Sequence, residues 1–303
     1  ALLGHAAPPP EHIGLRVSDD HRAQAAALRE AHGIERGCIL ICPFAGGTWS
    51  GQEKTWPAFA DFAALVLPGF GRSDRSDRHY TPRVMTDALH AVAAHIRQRC
   101  GTAPMDGLAV SLGCEFLARA AVEAPAQWGR LALVSPTGFN GTKAWRRAPG
   151  STRAVPGLHK VLAQPLWAPA LFRGLTRPGV VRYFLQRTWG SKAIDETMWR
   201  DAVAVAQAPG ARFAPLHFLS AGLFSADIHS VYDALHGPVW ASHGVRGDFT
   251  NYRGMALVPG CAGWRRTVYP TGALPYFECP EAFRADFDSF LAAPQSTPHS
   301  APL

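Results

Sequence analysis

The sequence predicts an α/β fold: a mostly parallel sheet with helices on both faces, and a helical cap inserted between two of the later strands. Three observations carry that expectation. Short apolar runs of strand length alternate with helix-period segments along most of the chain, the pattern of strands joined by crossover helices. One of these runs passes directly into a helix through a serine. The interval 140–236 breaks the alternation with elements that read as helical, such as Ile194 to Ala206.

The 303 residues suffice for one large α/β core plus a cap. With 47% hydrophobic and 17% charged residues, the composition is that of a globular protein rather than a disordered one. No apolar run reaches the length of a membrane span.

Residues 1–37 open with a Pro-rich tail that has neither an initiator Met nor a basic leader region, so it is not read as a signal peptide. A helix is expected next. Ser18-Asp19-Asp20 offers caps, Ala23 to Glu30 has high helix propensity and Gly33 is a stop. CILIC (38–42) reads as a buried strand followed by the Gly-rich loop PFAGGTWSG. AALVL (63–67) is a second strand, running into PGFGRSD. Leu89, Val92, Ala93 and Ile96 recur at helical spacing and mark an amphipathic helix. GLAV (107–110) is a strand, LGCEFLARAAVEAP (112–125) a helix ended by Pro125, and LALVS (131–135) another strand. After the interval, PVWAS (238–242) and RTVY (266–269) are strands. Phe283, Phe287, Phe290 and Leu291 line one face of a last helix opened by Pro280. The expected organisation is a core from 38–139 and 237–292, a cap from 140–236, and tails at 1–37 and 293–303.

The formal charge of +7 is unevenly spread. Between Gly138 and Gly237 there are twelve Lys/Arg and five acids, so this stretch holds the whole surplus. A solvated basic surface is the simpler reading, and steering of an anionic ligand is the other. Nucleic acid is not an expected partner, because no compact basic run or binding module is present. Six cysteines (Cys38, Cys42, Cys100, Cys114, Cys261, Cys279) form no Cys-x-x-Cys pair, so no metal site is expected and a reducing, cytoplasmic setting is the default. The Gly-rich PFAGGTWSGQEK lacks the Gly-Lys-Ser/Thr of a phosphate loop, and no nucleotide fingerprint appears elsewhere, so no cofactor is expected.

The chemistry centres on Ala109-Val110-Ser111-Leu112-Gly113. A serine on a sharp strand-to-helix turn stands above the sheet, and small residues two before and two after it avoid clashes. Ala109 and Gly113 fill those places. The alternative is a serine that merely caps a helix.

At this point the sequence resembles the α/β-hydrolase family over about residues 38–292. The elbow is joined by Leu67-Pro68-Gly69-Phe70-Gly71-Arg72-Ser73-Asp74 and by Phe277-Glu278-Cys279-Pro280-Glu281-Ala282-Phe283, both similar to family segments. In the family's count the six runs are strands three to eight, and 140–236 is the cap after strand six. The resemblance implies a serine hydrolase with Ser111 as nucleophile. It also implies the backbone N–H groups of Phe44 and Leu112 as oxyanion donors. Pro43-Phe44-Ala45-Gly46-Gly47 looks like the thioesterase branch, which implies an acyl substrate, CoA- or carrier-linked and anionic.

A serine hydroxyl needs a base and a group that orients the base. Asp248, after PVWAS, falls in the acid place, although one residue later than the commonest spacing; a loop aspartate paired with Arg246 is the alternative. The base place lies in Gly272-Ala273-Leu274-Pro275-Tyr276-Phe277-Glu278, and it holds Ala273. Alanine cannot accept a proton. Three explanations stand: a deliberate histidine-to-alanine change, natural loss, or a base moved elsewhere, for which His243 at a strand end is the candidate. The expected function is hydrolysis of an ester or thioester, impaired as the chain stands. The alternatives are a silent scaffold that binds a ligand or partner through Trp145, Trp167, Trp189 and Trp199, and a lyase or C–C hydrolase using a relocated base.

Overall fold

In the computed structural model, which describes residues 39–42, 62–71 and 73–293, six strands form one sheet in the order β2-β1-β3-β4-β5-β6. They are β1 (Ile39–Cys42), β2 (Phe62–Ala64), β3 (Met105–Val110), β4 (Trp128–Val134), β5 (Val239–Gly244) and β6 (Arg265–Tyr269). Every pairing is parallel. Each expected strand is present, with shifted ends. The second was expected at 63–67 but ends at Ala64, because its partner β1 ends at Cys42 and pairing stops at Ile41↔Ala64. A strand with no neighbour to accept its N–H groups has nothing to hold it extended.

Helices cover both faces. On one side lie α1 (Pro82–Cys100) and α2 (Gly113–Glu123). Thr81 caps α1 by accepting from the Val84 N–H, and Leu89, Val92, Ala93 and Ile96 are all buried against the sheet. On the other side lie α9 (Pro275–Glu278) and α10 (Pro280–Ala292), where Phe283, Phe287 and Phe290 close on the fully buried Trp240 of β5 at ring separations of 5.3, 5.9 and 5.9 Å. Three aromatic rings on one indole bury several hundred Å², on the order of 5–8 kcal/mol of transfer free energy by area. The expected N-terminal helix at 23–30 lies outside the described residues.

Between β4 and β5 the chain forms α3 (Leu158–Leu162), α4 (Ala168–Leu175), α5 (Pro178–Trp189), α6 (Glu196–Ala206), α7 (Phe213–Leu219) and α8 (Ile228–Asp233). The last of these packs into the main core, since Ile228, Val231 and Tyr232 bury on the same face as α2. Two carboxylates bind this insertion to α2. Arg119 of α2 meets Asp227 at 2.6 Å, and Asp227 also accepts from the Gly150 N–H at 2.8 Å. Glu115, wholly buried one turn past Ser111, accepts from Thr137 Oγ1 (2.6 Å), the Ser225 N–H (2.8 Å) and Arg153 (3.4 Å). Burial pushes the Glu115 carboxyl above its ordinary range, against the pull of Arg153 and of its hydrogen bonds.

A cluster of imidazoles joins the insertion to the β2–α1 loop. His217 of α7 stacks on His159 of α3 at 3.6 Å, and His79 meets it edge-on at 4.9 Å, beside Tyr80. Burial, then the neighbouring His159 and His79, pull His217 down to about 4. The unfolded chain therefore takes up this proton near pH 6.5 while the folded one refuses it until about pH 4. Stability from this site is present above pH 6.5 and is lost as pH falls through that window. Thermal melts of the chain and of His217→Phe should diverge with pH. The substitution is expected to lose least, or to gain, near pH 5, and a pH-independent difference would refute the assignment.

Candidate active site

The turn after β3 is strained in the way a nucleophile elbow requires. Ser111 has φ +55°, a left-handed conformation that costs a non-glycine residue about 1–3 kcal/mol. It is held there by its own N–H, which donates to Val134 O of β4 at 2.8 Å, and by its carbonyl, which accepts from the Cys114 N–H at 3.1 Å. The Leu112 N–H meets no acceptor among the described residues. Phe44 lies outside the described residues.

The strand beside it repeats the device. Ser135, one residue past β4, has φ +48° and donates its N–H to Ser242 O of β5 at 2.6 Å. Its buried hydroxyl donates to Ala273 O at 2.6 Å and interacts with Tyr252. No reading of the sequence singled out Ser135, although a serine directly ending a strand beside the elbow was the signal available.

Ala273 is buried, and its N–H donates to Thr188 O at 2.9 Å. The Asp248 N–H donates to the preceding carbonyl, Arg187 O, at 3.1 Å. Positions 273 and 248 are thus held by consecutive carbonyls in the last turn of α5. Ser111, Val134, Ser135, Ala273, Thr188, Arg187 and Asp248 form one chain of contacts along the C-terminal edge of the sheet. Gly244 and Gly272 make it possible, because a side chain at Gly244 would collide with the carbonyls of Thr271 and Gly272, and one at Gly272 with Thr188 and Trp189.

Asp248 is not paired with Arg246. Both its oxygens are taken by Arg187, from Nε and Nη2, at 2.5 Å each. This fork pushes the Arg187 guanidinium above its ordinary value, first through the hydrogen bond to Asp248. Arg246 instead pairs with Glu278, which also accepts from the Gly272 N–H at 2.6 Å and so braces the loop before Ala273.

Among the described residues His243 meets this chain of contacts through Tyr252, which interacts with Ser135. Its ring stacks on Tyr252 at 3.8 Å, and its Nδ1 bonds the Gly244 carbonyl at 2.9 Å. That bond fixes the Nδ1–H tautomer and leaves Nε2 as the acceptor. Burial lowers its pKa, so the ring is neutral at pH 7. It lines a cleft of ≈ 680 Å³ with Met255, Val258, Cys261 and Arg266, beside edge strand β6, and no described contact joins it to Ser111.

The four tryptophans of the insertion do not form one surface. Trp189 is buried, Trp145 lies between Lys143 and Arg153, and Trp199 lies under Arg182; Trp167 is exposed. Among the described residues no group of three or more His, Cys, Asp or Glu is placed to hold a metal ion.

No family model and no curated protein matches the sequence. Solved structures do resemble it. A probable hydrolytic enzyme from Pseudomonas aeruginosa PAO1 superposes with TM-score 0.62 at 20% identity, covering 85% of this chain and 86% of its own. 2-Hydroxy-6-oxo-6-phenylhexa-2,4-dienoate hydrolase from Rhodococcus sp. strain RHA1 gives 0.62 at 16%, covering 85% and 91%. A carboxylesterase from Bacillus subtilis gives 0.59 at 15%, covering 90% and 97%.

Proposed function

We propose that this chain, which has the α/β-hydrolase fold, is a serine hydrolase of esters or thioesters whose turnover is impaired by the alanine at position 273. The observation that carries the reading is the strained Ser111 at the strand-to-helix turn after β3, three strands from a buried alanine whose N–H is held by the carbonyl next to the one that holds the Asp248 N–H. Solved structures of similar fold include a carboxylesterase and an enol-lactonase, which supports hydrolysis as the reaction class.

In this reading Ser111 Oγ attacks the acyl carbonyl, and the N–H groups of Leu112 and Phe44 receive the oxyanion. Asp248 would orient a histidine at 273. The serine proton then has no resident acceptor, so acylation depends on water. Removing a triad base leaves a factor of about 10³–10⁴ over the uncatalysed reaction, which comes from the oxyanion donors and binding. Substrate binding should survive intact. The basic insertion and the Pro43–Gly47 loop favour an anionic thioester such as a CoA or carrier conjugate.

A serine-directed fluorophosphonate, read by mass spectrometry of the labelled peptide, tests the reading. Slow labelling confined to Ser111, lost in Ser111→Ala and unchanged in His243→Ala, is the expected result. Loss of labelling in His243→Ala would move the base to His243. The C–C hydrolase reading rests on that relocated base and stands or falls with the same variant. No labelling at all would favour the silent scaffold.

A further inference from the structure

From Gly138 to Ile194 the chain carries ten Lys/Arg and no acid. Some of these cations are used inside the protein, as with Arg153 on Glu115, Arg187 on Asp248 and Arg182 on Glu196. Lys160, Arg173 and Arg177 have no carboxylate partner among the described residues, and all three are exposed.

Exposed apolar side chains occur in the same segment. Leu166, in the turn between α3 and α4, is 87% exposed, Val161 57% and Trp167 44%. The turn is ordered by its own bonds: Trp167 donates its indole N–H to Val161 O at 2.9 Å and its backbone N–H to Gln164 O at 3.1 Å. Val155 and Leu219 extend the patch, joined through the bond from Val155 N–H to Ser220 O. A soluble protein exposes single apolar residues freely, but a protruding Leu-Trp pair flanked by unpaired cations is a different arrangement.

We propose that this tip of the insertion docks on an anionic lipid surface, with Leu166 and Trp167 entering the headgroup boundary and Lys160, Arg173 and Arg177 meeting the lipid phosphates. The charge argument decides between occupants. The interval 138–194 carries no acid, and although Asp77 of the β2–α1 loop acts on His159, the surplus of cations suits a sheet of negative charge, where each Lys/Arg near the surface adds to attraction. Trp and Leu beside such cations are the side chains that enter an interface, the indole N–H satisfied and the ring at the polar boundary. The tip is tied by the His159–His217–His79 contacts to the β2–α1 loop. The proposal is independent of whether Ser111 turns over.

Co-sedimentation of the full chain with vesicles tests it. Binding is expected to phosphatidylcholine vesicles containing phosphatidylglycerol, weakening as salt rises, and not to phosphatidylcholine alone. Leu166→Ser combined with Trp167→Ser should weaken binding by about tenfold. Lys160→Glu should do so at low salt only. These residues are exposed, so unchanged melting temperatures confirm that the variants are folded. Equal binding to both vesicle types, or undiminished binding by the double variant, would overturn the proposal. So would binding to soluble polyglutamate but to neither vesicle, which would assign the patch to an acidic protein partner.

Discussion

Ala273→His is expected to raise the labelling rate of Ser111, and turnover of activated esters, by about 10⁴–10⁶-fold, the range lost when a triad base is removed. The position is prepared for it. Its backbone is fixed at both ends, by Thr188 O and by Ser135 Oγ, so a side chain placed there has one origin and few directions. The restored rate should rise with pH and level off above about 6.5–7, because only the neutral imidazole can take the serine proton. One feature opposes full recovery, since both Asp248 oxygens are held by Arg187 and the new ring must compete for one of them. Arg187→Met in the Ala273→His background is therefore expected to accelerate the reaction further. Stopped-flow labelling of the three proteins settles the matter. An unchanged rate in Ala273→His would show that 273 is not the base position.

The second large effect is on stability. Glu115→Ala should cost about 3–5 kcal/mol, because it strands the buried Ser225 N–H and removes the carboxylate partner of Arg153, which keeps its bond to Ser225 O. For a chain of this size that is a fall of roughly 10 °C in melting temperature. Glu115→Gln, which keeps an acceptor for Thr137 or Ser225, should lose less than half as much. Equal losses in the two variants would mean that volume, not the carboxylate, matters. Calorimetry of both distinguishes these outcomes.

The fold was legible because its signals are local. Runs such as LALVS and PVWAS are apolar along their length, as strands covered on both faces must be, and the Phe283–Phe287–Phe290 spacing is helical. The elbow was legible for the same reason, since Ala109, Ser111 and Gly113 lie within five residues. Partners were not. The alternative reading of Asp248 paired it with Arg246, two residues away, and it bonds Arg187, 61 residues away. Spacing along the chain says which charges can meet, but the crossing of α5 over the sheet edge decides which do. Ser135 was missed because its importance comes from a left-handed turn that the residue type does not announce. Glu115 reads as an ordinary first-turn acid of a helix, and only the insertion folding over it makes it a buried anchor.

The two carbonyls at the end of α5 have a consequence for how the insertion can move. Because Arg187 O and Thr188 O hold the backbones of Asp248 and Ala273, that end of the insertion cannot swing outward without breaking its bonds to the loops that carry those two residues. The insertion is a fixed wall at α5, part of the frame rather than a door.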